Sequence, residues 1–412
     1  MDKTKPFSIS KHAVWQAYRK VKANAGSAGI DEQSLEQFEQ DRNNHLYKLW
    51  NRLSSGSYFP PPVMLVEISK KAGGVRPLGV PTITDRIAQT VVAGELEKVV
   101  EPIFDDDSYG YRPGRNAHDA LAVCRKRCWK FDWAIDLDVK SFFDSVDHQL
   151  MLKAVAHHTD QRWILLYVQR WLQAPLAMPD GSLVERDRGT PQGSAVSPVL
   201  ANLFLHWAFD VWMRREFSSV PFERYADDVI VHCISQAQAE QVRDAIAGRL
   251  VECGLQLHPD KTRIVYCKDG RRTGSYEHES FDFLGYTFRP RKAMSKTGKV
   301  FASFLPAVSN TASKAMRQRI RSWRMHRRSD KSLRELADFI NPIVRGWINF
   351  YGRFYRSRLA RTVLQQINEY LMRWAMQKYK RLRRSRRRAV QFLQRIERSD
   401  RELFVHWQLA QP

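Results

Sequence analysis

Phe222-Glu223-Arg224-Tyr225-Ala226-Asp227-Asp228-Val229-Ile230-Val231-His232-Cys233 is the stretch that decides the fold. Two apolar runs flank a pair of adjacent acids. Val229-Ile230-Val231 is β-branched and favours a buried strand, so the acids belong at a tight turn near its start. Two unprotonated carboxylates at one spot repel each other, and a divalent cation reconciles them. Taken alone, residues 225–228 also fit an ordinary solvated Asp-Asp turn.

A second acid-bearing strand lies upstream. In Ala134-Ile135-Asp136-Leu137-Asp138-Val139 the odd positions are apolar, so Asp136 and Asp138 share the opposite face. Asp138 is nearer the C-terminal end, and Phe142-Phe143-Asp144 follows. Three carboxylates from two strands, Asp138, Asp227 and Asp228, suit two Mg²⁺ ions about 3.5–4 Å apart, the arrangement for in-line phosphoryl transfer. Asp136 reads better as a supporting or salt-bridged acid.

Around these strands the pattern alternates. Helices are expected near 8–22, 32–53, 84–101, 116–129, 148–157, 161–172, 198–215 and 236–253. Residues 63–68 are strand-like, and residues 70–77 look like a basic hairpin tip. Mixed elements argue an α+β body, with a helical region from about 310 onward. Thr190-Pro191-Gln192-Gly193 is a loop leading into a helix, with Ser197 suited to the N-cap and Pro198 to the first helical position.

The chain has 412 residues, 43% hydrophobic, which excludes a wholly disordered protein. The net charge is +23. Residues 289–412 carry 31 Lys+Arg against 7 Asp+Glu, a net of +24, and the first 288 residues a net of −1. A neutral body with a basic tail suggests two jobs, and nucleic acid is the usual polyanion partner. The five cysteines have no zinc-finger spacing and read as reduced thiols of a cytoplasmic protein. No apolar leader or membrane-length stretch is present, so secretion and a membrane partner are not expected.

Six segments in order carry a specific resemblance. They are Arg76-Pro77-Leu78-Gly79-Val80-Pro81-Thr82, Ser108-Tyr109-Gly110-Tyr111-Arg112-Pro113-Gly114-Arg115, Asp138-Val139-Lys140-Ser141-Phe142-Phe143-Asp144, Thr190-Pro191-Gln192-Gly193, Tyr225-Ala226-Asp227-Asp228 and Phe283-Leu284-Gly285-Tyr286. Together they resemble the reverse transcriptases encoded by bacterial group II introns. The resemblance implies a right-hand polymerase with fingers, palm and thumb. Its expected parts are an N-terminal extension and fingers at 1–105, the palm with remaining fingers segments at 106–290, a helical maturase-like thumb at 291–377, and a basic extension at 378–412.

It also implies roles. Asp138, Asp227 and Asp228 become the catalytic, metal-binding triad, with the Val139 carbonyl beside them. Lys70 and Arg76 match residues that grip the incoming triphosphate, and Gln192 one that lines the nucleotide pocket. Phe143 matches the aromatic that blocks a ribose 2′-hydroxyl, although a Phe after a strand is also an ordinary core residue. Residues 283–286 match a segment that holds the primer end, and residues 24–31 a template-handling loop. The implied partners are group II intron RNA, an RNA template with DNA primer or target, and dNTPs. The expected location is the bacterial cytoplasm, in the nucleoid or a ribonucleoprotein.

There are departures. Ser194 stands where the family usually has a second Gly, and Ser69 where Pro precedes the Lys. The Cys pairs and His-Asn-His cluster that some relatives carry as a DNA endonuclease are missing, so a mobile element would take its 3′-end elsewhere. In the tail, Arg381, Arg383, Arg384, Arg386, Arg387 and Arg388 are the expected RNA contacts, and Trp347, Tyr351, Tyr355 and Trp374 are expected to pack a helical core. The rival readings are a splicing maturase with vestigial polymerase activity, a defence- or CRISPR-associated reverse transcriptase, and a non-enzymatic RNA-binding protein.

Overall fold

The computed structural model describes residues 5–69, 75–295 and 297–409. They form two compact units, one from residues 1–120 and 135–264, the other from 121–134 and 265–412.

The first unit begins with helices at Lys11–Ala23, Leu35–Gln40 and Arg42–Ser55. The expected helix at 32–53 is therefore two, parted at Asp41. Strands β1 (Val63–Ser69) and β2 (Val75–Val80) pair antiparallel from Met64↔Val80 to Ser69↔Val75. Two-residue strands β4 (Leu176–Ala177) and β5 (Leu183–Val184) extend that sheet in the order β2-β1-β4-β5. The second sheet has the order β6-β7-β3-β8, from β3 (Trp133–Asp138), β6 (Phe222–Tyr225), β7 (Asp228–Cys233) and β8 (Arg263–Tyr266). Its central strands β7 and β3 are the two acid-bearing stretches. Ile135, Leu137 and Val139 are buried while Asp136 and Asp138 are half-exposed, as the period of two requires.

Ser197 does not cap its helix. The helix Ser197–Leu205 is preceded by Val196 at the N-cap, with no side-chain capping bond. The Ser197 hydroxyl instead donates to the Pro191 carbonyl at 3.0 Å and bonds Thr190 Oγ1 at 2.6 Å. It fastens the preceding loop, a tertiary use that displaced the local one.

The second unit holds β9 (Phe281–Phe283), β10 (Tyr286–Met294) and β11 (Val300–Val308), an antiparallel sheet in the order β11-β10-β9. Residues 291–308, expected at the start of a helical thumb, are therefore largely strand. Helices follow at Asn310–Ser322, Leu333–Tyr351, Gln365–Lys378 and Arg386–Ser399. Their shared core includes Ile320, Ile340, Ile367 and Trp374. Leu382, Ala389, Phe404 and Trp407 belong to that same core.

Three of the four expected aromatics pack in or against that core, whereas the Tyr355 hydroxyl donates to the Lys292 carbonyl of β10 at 3.1 Å. Trp374 is fully buried, and Trp347 stacks on Trp323 at 5.6 Å. None of the five cysteines is joined in a disulfide, and all five are buried. Among the described residues, no helix is long and apolar enough to cross a membrane.

Candidate active site

The β6–β7 hairpin closes through two residues, Ala226 and Asp227, with Tyr225 paired to Asp228. Ala226 takes a left-handed backbone (φ 58°), an uncommon conformation for a residue with a Cβ. The surroundings hold it there. Arg224 is fully buried and donates through Nη1 to the Ala226 carbonyl at 3.2 Å and to Asn202 Oδ1 at 3.0 Å. Its Nε and Nη2 reach the two oxygens of Asp210 at 2.7 and 2.6 Å, and Asp210 is also fully buried. Burial pushes the Asp210 carboxyl up, and the Arg224 guanidinium opposes that rise. Asn202 Nδ2 then donates to the Gly110 carbonyl at 2.7 Å. Gly110 lies so near the turn that a Cβ there would sit 2.4 Å from the Ala226 nitrogen. This buried ion pair under the turn escaped the sequence reading, which saw only two charges in apolar runs.

Asp138 ends β3, the strand beside β7, and Asp228 begins β7. The segment before β8 clasps Asp138. His258 N–H donates to the Asp138 carbonyl at 2.7 Å, and Lys140 N–H donates to the Gln256 carbonyl at 2.8 Å. Lys261 Nζ approaches the Asp138 carboxylate at 3.3 Å. Lys261 was not anticipated; its only signal is its place in the polar turn His258-Pro259-Asp260-Lys261 before β8. Asp138, Asp227 and Asp228 are all half-buried. The donor set is oxygen throughout, with two of the acids adjacent in the chain, and it suits a hard cation such as Mg²⁺.

Besides the Ser197 hydroxyl, three hydrogen bonds to other segments fasten the Gln192 loop. Thr190 N–H donates to the Phe143 carbonyl at 2.7 Å, which ties the loop to the segment after β3. Gly79 N–H of β2 donates to the Gln192 carbonyl at 2.7 Å. Gly193 has φ 110°, and a Cβ there would sit 2.5 Å from the Gly79 carbonyl oxygen, so the close approach requires glycine. Ala195 N–H donates to the side chain of Gln89 at 2.7 Å. The structure thus brings Gln192 and Phe143 to one loop system against β2.

Phe143 is buried, with 8% of its surface exposed, and its ring packs 5.2 Å from that of Phe142. Arg76 lies in β2 opposite Ile68. Lys70 lies outside the described residues. In the second unit, Leu284 and Gly285 form the left-handed turn between β9 and β10, with Phe283 and Tyr286 fully buried on either side. Arg381, Arg383, Arg384, Arg386, Arg387 and Arg388 are all exposed there, around the start of the helix Arg386–Ser399.

A family model described as reverse transcriptase (RNA-dependent DNA polymerase) matches residues 68–288. A second, the group II intron maturase-specific domain, matches residues 313–392. The group II intron-encoded protein LtrA of Lactococcus lactis subsp. cremoris is 32% identical over 193 residues, which is 46% of this chain and 32% of that protein. Protein YkfC of Escherichia coli (strain K12) is 30% identical over 302 residues, 64% of this chain and 76% of YkfC. The putative COX1/OXI3 intron 1 protein of Saccharomyces cerevisiae is 29% identical over 300 residues, 60% of this chain and 36% of the yeast protein. The match thus spans about a third of the length of LtrA.

Proposed function

The chain belongs to the reverse transcriptase family and carries a group II intron maturase-specific domain, and on that premise we propose that it copies RNA into DNA and binds a group II intron RNA whose splicing and mobility it assists. The observation that carries this reading is the placement of the acids. Asp138 and Asp228 stand on neighbouring strands of one sheet, and Asp227 occupies the turn beside them.

In this reading the layout is a right hand, with fingers at 1–105, palm at 106–290, thumb at 291–377 and a basic segment at 378–412. Asp138, Asp227 and Asp228, with the Val139 carbonyl, hold the metal. Bound Mg²⁺ supplies charge neutralisation at the triphosphate and acidifies the primer 3′-hydroxyl. The protein's own groups do the rest. Lys261 offsets the Asp138 charge before metal arrives. The Gln192 loop forms one wall of the nucleotide pocket, and Phe143 excludes a 2′-hydroxyl by bulk. Arg76 and Lys70 meet the phosphates as a planar fork and a point charge. The exposed arginines of the second unit meet RNA phosphates. The location consistent with these partners is a nucleic-acid-rich compartment such as the nucleoid.

The test is Mg²⁺-dependent cDNA synthesis on a primed RNA template. Asp227→Ala and Asp138→Ala should each fall to background, while binding of the intron RNA stays at the wild-type level. Synthesis by Asp227→Ala at near wild-type rate sinks the assignment.

A further inference from the structure

The helix Ile83–Val100 buries two polar side chains one turn apart on one face, Asp85 and Gln89, each with 0% of its surface exposed. Asp85 accepts from three donors. Tyr58 Oη reaches Oδ1 at 2.8 Å, Trp171 Nε1 reaches the same oxygen at 2.7 Å, and Gln89 Nε2 reaches Oδ2 at 2.9 Å. Gln89 Oε1 in turn accepts the backbone N–H of Ala195 at 2.7 Å. Ala195 lies three residues after Gln192.

The polarity of this chain is fixed by chemistry. A backbone N–H only donates, and an ionised carboxylate only accepts. Gln89 satisfies both ends in one orientation alone, with oxygen toward Ala195 and nitrogen toward Asp85. Burial pushes the Asp85 carboxyl up to about 6, so the group carries its charge against a desolvation cost. A well-packed apolar pair would hold the same helix in place at lower cost. Such a cost persists where geometry is needed for function.

We propose that Asp85 and Gln89 are positioning residues: a buried donor–acceptor chain that fixes the Gln192 loop through the Ala195 N–H and so sets the grip on the incoming nucleotide. The inference rests on the reading of that loop as a wall of the nucleotide pocket. It differs from a packing role because it depends on the direction of each hydrogen bond rather than on volume.

Asp85→Asn tests it with nearly no change of shape. Tyr58 and Trp171 keep the new carboxamide's oxygen on their side, so its NH₂ is turned toward the NH₂ of Gln89. Either that bond is lost, or Gln89 turns over and sets its own NH₂ against the Ala195 N–H. Misplacing one such bond is worth on the order of tenfold. The KM for dNTP in primer extension should therefore rise roughly tenfold, with a smaller change in kcat. The double variant Asp85→Asn/Gln89→Glu restores the polarity. The carboxamide at position 85 donates to one oxygen of the introduced carboxylate, the other oxygen accepts from Ala195, and the buried charge is kept. Its KM should return to within about threefold of wild type.

Hydrogen exchange of the Ala195 amide gives a readout besides activity. It should quicken in Asp85→Asn and slow again in the double variant. Gln89→Met removes the acceptor while leaving Tyr58 and Trp171 on Asp85, and it should quicken the same amide if Asp85→Asn fails to fold. An unchanged amide in both single variants overturns the proposal, as does a double variant no better than Asp85→Asn. Wild-type protein that extends no primer, or Asp227→Ala that extends one freely, would strike the polymerase reading instead, and the exchange data would still decide whether the chain fixes the loop.

Discussion

Arg224 and the arginines at 381–388 are the same side chain put to opposite uses. Arg224 is fully buried and donates to Asp210, Asn202 and the Ala226 carbonyl. Arg383, Arg384, Arg386, Arg387 and Arg388 are exposed, on a segment whose Leu382, Ala389 and Leu393 are seated in an apolar core. In the first region the guanidinium is a rigid fork that holds a turn in shape. In the second it supplies potential, and the apolar residues supply the shape. The contrast runs alongside the charge balance, since the first 288 residues carry a net of −1 and residues 289–412 a net of +24.

The sharpest way to break that contrast is to remove one arginine from each region. Arg224→Met leaves Asp210 buried without its partner, which should cost about 3–5 kcal/mol in denaturant unfolding. Arg384→Gln should stay within about 0.5 kcal/mol. Arg224→Met/Asp210→Leu removes both charges and should recover most of the lost stability. It should not recover synthesis, because the Ala226 carbonyl and Asn202 still lack their donor. Equal stability losses from the two single variants would erase the distinction between fork and field.

Asp85 sharpens the same side of the comparison with a pH dependence. Its folded-state value of about 6 lies above the ordinary 3.8. A carboxyl raised on folding contributes stability that is fully present below the unfolded value and is lost as pH rises through the folded one. The window is therefore from about pH 4 to pH 6, and the change is about 3 kcal/mol at most. Tyr58, Trp171 and Gln89 donate to the carboxylate, and the Arg86 charge favours its ionised form. The stability of wild type relative to Asp85→Asn should fall across that window in paired melts. A constant difference means that the burial cost is not carried by this group.

How far these regions were legible follows from the same physics. The strands with Asp138 and Asp227-Asp228 were readable because a period-two pattern survives around the acids. The helices at 148–157, 161–172 and 236–253 were found within a residue or so at each end, since the structure has His148–His158, Arg162–Gln173 and Gln236–Glu252. Asp85, Asp210 and Arg224 were not readable as core residues. A charged side chain in a helix or strand reads as a solvated one unless its partner is known, and Tyr58 and Trp171 lie 27 and 86 residues from Asp85, Asp210 14 from Arg224. β10 was hidden for a related reason. Its sequence Tyr286-Thr287-Phe288-Arg289-Pro290-Arg291-Lys292-Ala293-Met294 is basic enough to merge with the tail, and its pairing with β9 and β11 makes it a strand.

The smallest effects per residue belong to the tail, and they separate field from shape most directly. Each exposed arginine is worth little alone. Changing Arg383, Arg384, Arg386, Arg387 and Arg388 to Gln together should weaken intron RNA binding and flatten the slope of log K against log [salt]. The flattening should reach roughly 0.7–0.9 for each arginine–phosphate pair removed. The fold should persist, because Leu382, Ala389 and Leu393 keep their places in the core. Primer extension on a short generic template should change less than RNA binding, since the acids and the Gln192 loop lie in the other unit. Splicing assistance should follow RNA affinity. The measurement is a salt titration of RNA binding beside an extension assay on the same protein. An unchanged slope makes these arginines a solvated face, with the RNA site elsewhere. A joint collapse of binding and extension makes the tail part of the grip on the template, and the division between a neutral body and a basic tail no longer describes two jobs.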